Sequence, residues 1–106
     1  MKANKINYLL IFILTIFFSL NVNADDLFIK GKEVYLNKGM CGTCHALLDA
    51  KSEGQIGPNL DDLKPDTAKI IYAVKNGIGV MPSFEGILTK NEIEAVAHYV
   101  STSSSK

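Results

Sequence analysis

Hydrophobic positions change their spacing twice along this chain. From Tyr8 to Leu20 they form a nearly unbroken apolar run, preceded by Lys2 and Lys5 and closed by Val22-Asn23-Ala24. A spanning helix needs ~20 such residues, and this run is shorter. A basic start, a short apolar centre and a small-residue end describe a secretory signal peptide over residues 1–24, with an uncleaved anchor as the rival reading. After Ala24 the apolar residues take up helical spacing. Leu27, Phe28, Val34 and Tyr35 mark one face of a helix opened by Asp25 or Asp26 and stopped after Asn37 by Lys38-Gly39. Gly31 interrupts that face at about 1 kcal/mol against alanine. Close approach by a second helix would offset the loss. Pro65-Asp66 opens another helix that turns Ile70, Ile71 and Val74 inward and ends at Asn76-Gly77. Thr89-Lys90-Asn91-Glu92 is a capping box ahead of Ile93, Val96, Ala97 and Val100, at i, i+3, i+4 and i+7. Residues 101–106 read as a frayed serine-rich tail. No segment alternates clearly enough to predict a strand. The expected class is all-α: three main helices and their loops, in one domain over residues 25–106.

Composition changes the picture once the leader is set aside. All eleven acidic residues follow Ala24, whereas Lys2 and Lys5 precede it, so the exported chain has nine lysines, no arginine and a net charge of −2. This mild acidity argues against nucleic acid or an anionic membrane surface as a partner, and no membrane insertion is expected after cleavage. About eighty residues make a thin core, and domains of that size usually need a staple.

Cys41-Gly42-Thr43-Cys44-His45 supplies one. It contains the only two cysteines of the chain, and the C-x-x-C-H spacing is that of c-type haem attachment. Each cysteine can form a thioether to one porphyrin vinyl group, and the adjoining histidine can then become the proximal iron ligand. Other uses explain less. A thioredoxin-like pair needs a βαβ setting, and no β-branched run precedes Cys41. Zinc needs four ligands, and Cys41, Cys44, His45 and His98 lack the paired spacing of zinc modules. A plain disulfide leaves His45 without a role.

A haem with one histidine takes a sixth ligand or keeps an open site, and that choice separates carrier from enzyme. Met40 adjoins the attachment edge and cannot reach the opposite face. His98 points away from the apolar stripe of its helix, as a surface histidine does. Met81 lies in Asn76-Gly77-Ile78-Gly79-Val80-Met81-Pro82, a glycine-rich loop some thirty-five residues beyond His45. A methionine is by default core filler. In this loop, with a haem argued, the ligand reading is the stronger one. Ligation by His45 and Met81 leaves no vacant position for substrate and describes one-electron transfer. The alternative is a haem enzyme or gas binder in which Met81 is displaced.

The attachment motif, Gly57-Pro58-Asn59-Leu60, Val80-Met81-Pro82 and the terminal helices together resemble the class I monohaem cytochromes c. The resemblance covers nearly all of residues 25–106. It implies that Gly31 and Tyr35 on the first helix cross Tyr99 on the last, and that the Pro58 carbonyl accepts a hydrogen bond from His45. It also implies one covalent haem c and redox protein partners: a dehydrogenase donor, and an oxidase or cytochrome acceptor. The family's propionate partners are not matched, since tryptophan and arginine are absent. Lys75, Tyr72, Asn59 or backbone groups are the remaining candidates. A narrower resemblance, carried by Leu48-Asp49-Ala50, Glu53-Gly54, Leu63-Lys64-Pro65-Asp66 and Asn76-Gly77-Ile78-Gly79, is to the small cytochrome subunit of bacterial sulfite dehydrogenases. It implies a carrier that accepts electrons from a molybdenum-containing partner, and the signal peptide implies a periplasmic location.

Overall fold

The computed structural model describes residues 23–106, so the expected signal peptide lies almost wholly outside the described residues. Helix α1 runs Ala24–Glu33 and continues as a π-helical turn, Val34–Lys38. A 3-10 turn at Cys41–Thr43 leads to β1 (Ala46–Leu47), a second 3-10 turn (Leu48–Ala50) and β2 (Ser52–Glu53). Helices α2 (Leu60–Leu63), α3 (Thr67–Asn76) and α4 (Lys90–Ser104) complete the chain. None of the described helices is long and apolar enough to cross a membrane.

The cap of α1 is Asn23, not Asp25 or Asp26: its side chain accepts a hydrogen bond from the Asp25 amide at 2.9 Å. The two aspartates occupy the first helical turn, where the positive end of the helix favours them. Asp66 caps α3 through the Lys69 amide, 2.8 Å away, as its position after Pro65 suggested. Thr89 and Glu92 form the expected capping box on α4, with bonds of 3.2 and 2.9 Å.

Helices α1, α3 and α4 form the core, and the crossing of α1 with α4 is its tightest part. A methyl group on Gly31 would run into the Ala95 carbonyl and lie 2.6 Å from the Tyr99 Cβ, so only glycine permits this approach. Tyr35 and Tyr99 are fully buried beside it, their rings edge to face at 5.7 Å. Phe28 meets Tyr99 in the same manner at 4.9 Å. Val34, Leu47, Leu60, Ile70, Val74, Leu88, Ile93 and Val96 fill the remaining core.

Two expectations need correction. Residues 101–104 are not a frayed tail. They extend α4 to Ser104, with Ser103 and Ser104 buried. Their hydroxyls donate to the carbonyls one turn back, Ser103 to Tyr99 at 2.7 Å and Ser104 to Val100 at 2.6 Å. Serine there is a small residue whose polar atom is satisfied within the helix. Lys64 adds a bond to the Ser104 carbonyl at 3.2 Å, holding the helix end. The molecule also contains strands, though minimal ones: β1 and β2 pair antiparallel as Ala46 with Glu53 and Leu47 with Ser52. Two residues a side are too few for alternation to register. The fold remains mostly helical.

Candidate haem site

The π turn shapes the entry to the attachment motif. Its wider ring is closed by the Gly39 amide on the Val34 carbonyl at 2.7 Å, after which Met40 takes a left-handed φ of 47°. The amides of Cys44 and His45 then both bond the Cys41 carbonyl, at 3.2 and 3.0 Å. One carbonyl thus organises both cysteines and the histidine. Cys41 packs against the core, and burial pushes its thiol up to about 11. A thioether is neutral at any pH and suits that environment. No disulfide joins Cys41 to Cys44 in this structure.

His45 is held on several sides. Its Nδ1 lies 2.7 Å from the Pro58 carbonyl oxygen. That oxygen can only accept, so Nδ1 carries the proton and Nε2 keeps its lone pair for a metal. A methyl group on Gly57 would lie 2.5 Å from His45 Cε1 and 2.8 Å from Nδ1, so the ring rests directly on the glycine. The Gly57 amide closes this loop by bonding the Cys44 carbonyl at 2.7 Å. Gly54 is as close to the peptide joining Cys44 to His45, where a methyl would approach to 2.5 Å. Tyr35 supports the motif from the core side. Its hydroxyl donates to the His45 carbonyl at 3.3 Å and pairs with the Ser52 hydroxyl at 2.8 Å.

Met81 ends a rigid turn. Ile78 and Met81 exchange both backbone bonds, 3.1 and 2.9 Å, across Gly79-Val80. Gly79 has φ +58° while Val80 does not have positive φ, the pattern of a type II′ turn. Gly77, at φ 78° and ψ 157°, occupies a region essentially reserved for glycine, and a methyl on it would lie 2.7 Å from the Met81 carbonyl. Ser83 Oγ to the Lys75 carbonyl (2.6 Å) and Phe84 N to the Val74 carbonyl (2.8 Å) fasten the loop to the end of α3. Met81 is half-buried against the same core cluster as Cys41.

Other candidates fall away from this centre. Among the described residues no group of three or more histidines, cysteines and acids could hold a metal ion, so Cys41, Cys44, His45 and His98 do not form a zinc site. His98 is half-buried in a cleft with Ala24, Asp25, Phe28, Thr102 and Lys106. Of the propionate candidates, Asn59 commits its side-chain oxygen to capping α2, at 2.9 and 3.3 Å from the amides of Asp61 and Asp62. Tyr72 and Lys75 are exposed on α3. Sequence reasoning passed over Ser52, and named Gly54 and Gly57 only as motif residues, without their contact to Cys44 and His45. Glycines closely spaced after a histidine were the available signal for that contact.

A neutral, oriented imidazole beside two cysteines and a glycine cradle fits a covalently attached porphyrin, which places the molecule among c-type haem proteins. The family model for cytochrome c oxidase, cbb3-type, subunit III matches residues 27–100. Cytochrome c6 of Diacronema lutheri is 35% identical over 76 residues, 67% of this chain and 89% of that protein. Cytochrome c6 of Euglena gracilis is 38% identical over 79 residues, 68% and 87% of the two chains. The crystal structure of the c-type cytochrome SorU from Sinorhizobium meliloti is 51% identical, with a TM-score of 0.73, covering 77% of this chain and 95% of that one. The chain belongs to this cytochrome c family: it is a class I monohaem cytochrome c, an electron-transfer protein carrying covalent haem c.

Proposed function

We propose that the chain is an exported, periplasmic one-electron carrier, its haem bound through Cys41 and Cys44, with His45 and Met81 as axial ligands. The observation that carries this reading is the 2.7 Å contact of His45 Nδ1 with the Pro58 carbonyl. It prepares one nitrogen for iron and fixes the ring plane. The backbone-locked turn ending at Met81 supports the second ligand, since a sixth ligand must stay in place as the metal changes oxidation state. Haem supplies the one-electron chemistry. The chain's residues orient the ligands, hold the porphyrin and keep water from its apolar faces. A thioether sulfur favours the reduced state and moves the potential toward the upper part of the ~0.8 V range of haem proteins.

Residues 1–24 act as the export signal in this reading. The donor is a dehydrogenase of the sulfite-oxidising class, a reading supported by the sequence segments shared with the cytochrome subunits of such enzymes. Electrons cross at an exposed apolar face comprising Met40, Ile78 and Val80, which are 64%, 60% and 85% exposed. Phe84, farther along the same loop, is instead half-buried against the core. Small apolar contacts of this kind suit brief redox encounters.

The decisive experiment is near-infrared absorption of the oxidised protein. The weak band of sulfur-to-iron coordination is expected, and Met81→Ala should abolish it and lower the potential. An unchanged band in the variant would transfer the ligand role elsewhere and reopen the displaced-methionine alternative. Met40→Lys and Val80→Lys should slow reduction by the donor with spectrum and potential nearly intact.

A further inference from the structure

Three residues other than glycine have positive φ among the described residues: Met40, Lys51 and Lys64. Both lysines are exposed polar residues, and Lys64 is held by its bond to the Ser104 carbonyl. Met40 is different. It is apolar, it sits at φ 47° and ψ 40°, and 64% of it is exposed. Neither backbone nor burial favours it there, since glycine adopts that conformation freely and residues with a side chain do not. Its carbonyl accepts from the Thr43 amide at 3.2 Å, so this left-handed residue opens the 3-10 turn that carries Cys41. The turn therefore holds a methionine sulfur at the surface, beside the first attachment cysteine and on the face proposed for electron exchange.

Methionine offers in such a place what leucine does not, a sulfur lone pair open to oxidation. Its sulfoxide turns a flexible apolar side chain into a polar one, and the change is reversible. The chain has two other methionines. Met1 falls in the leader. Met81 is half-buried against the core cluster, and in the proposed coordination its lone pair is committed to iron. Ile78 and Val80, the rest of the exposed face, are hydrocarbon and inert to mild oxidants. Met40 is thus the one accessible methionine sulfur among the described residues.

We propose that Met40 is a reversible oxidation site that switches the electron-exchange face, with peroxides as the oxidant. The Met40 sulfur attacks one oxygen of hydrogen peroxide and gives it an electron pair. An S–O bond forms, the O–O bond breaks, and the second oxygen leaves as water with the proton of the first. Sulfur is oxidised by two electrons and peroxide is reduced by two. The iron takes no part, so both axial positions stay filled. The new S–O dipole must shed its water before the face can meet a partner, which weakens each encounter. A thiol-dependent sulfoxide reductase reverses the change: two thiols become one disulfide and the oxygen leaves as water. Peroxide therefore applies a brake to electron delivery without touching the haem. The inference rests on the proposed exchange face, and the Val80→Lys variant tells the two apart.

The test treats the ferric holoprotein with hydrogen peroxide, at a dose that leaves the main haem absorption band intact. Electron self-exchange is then read from NMR line broadening in half-reduced samples, so no donor is required. Treated wild type should gain one oxygen, mapped by mass spectrometry to the Met40 peptide. Its self-exchange should slow severalfold while the near-infrared band remains. Sulfoxide reductases with dithiothreitol should restore both mass and rate. Met40→Leu should gain no oxygen, and its treated and untreated rates should agree. Slow exchange in untreated Val80→Lys beside full-speed exchange in the Met40 sulfoxide would overturn this inference alone. Full-speed exchange in both would overturn the face as well. Oxygen on Met81 instead of Met40 would overturn the site, and loss of the near-infrared band with it would overturn the ligand proposal.

Discussion

The two sides of this molecule are built on different terms. At the crossing of α1 and α4, protein packs on protein: Tyr35 and Tyr99 are fully buried, and Gly31 lets the backbones meet. Around the attachment motif and the Met81 turn, apolar side chains stay outside: Leu48, Ile56, Tyr72, Ile78 and Val80 are 82%, 69%, 63%, 60% and 85% exposed. Apolar groups left exposed in these segments suit a surface that a large apolar group or a partner covers. The crossing closes on itself. The attachment side is ordered instead by backbone devices: a π turn, the positive-φ glycines Gly77 and Gly79, and carbonyls aimed at His45 and the Cys44 and His45 amides. A chain this small packs one seam protein on protein and relies on its cofactor to complete the rest.

The largest effect should come from removing that cofactor's attachment. Cys41→Ala with Cys44→Ala should leave no covalent haem after denaturing electrophoresis and a far-ultraviolet spectrum of a largely unfolded chain. Native helicity in the double variant would show that the α1–α4 seam is sufficient alone and would break the contrast. Gly31→Ala attacks the seam directly. The obstructing atoms are backbone, so overpacking should cost about 3 kcal/mol, a fall in Tm of roughly 12–24 °C for a domain of this size. Its haem spectrum should stay native in the folded fraction. Gly57→Ala acts on the other side and should reverse this pattern. It should cost about 1–2 kcal/mol yet alter the haem spectrum, because the added methyl displaces the His45 ring.

The smallest effect concerns the ion pair joining the two regions. Lys38, at the end of the π turn, contacts Glu92 at 2.8 Å beside the capping box of α4. Lys38 foremost, then the Thr89 amide, holds the Glu92 carboxyl at about 2, far below its usual range. A depressed folded pKa gives stability that is full above the unfolded value of ~4.3 and is lost as pH falls toward about 2. Glu92→Gln should lower Tm slightly at neutral pH, and its acid-unfolding curve should merge with wild type near pH 2. The side chains are partly solvated, so added salt should shrink the difference. A gap that persists below pH 2 would assign the effect to the cap rather than the charge.

Much of this was legible in the chain itself. The C-x-x-C-H motif specified the cofactor because thioether spacing and an adjacent ligand are local chemistry. Helix periodicity placed Val34, Tyr35, Ile70, Val74 and Ile93 in the core, and Thr89 to Glu92 wrote their own cap, since i and i+3 groups meet wherever a helix forms. Gly31 announced a close helix crossing by being costly anywhere else. What only the tertiary structure decided involves partners distant in sequence or backbone angles that side chains do not encode. Ser103 and Ser104 looked like a loose tail because serine favours loops, yet burial and Lys64, forty residues earlier, keep them helical. Asp49 finds Tyr99 across fifty residues, and His45 rests on Gly57 because the chain returns beneath it. Local pattern fixes which chemistry a segment can perform, whereas the contact that orients a histidine or satisfies a buried tyrosine's hydroxyl exists only once the chain has closed on itself.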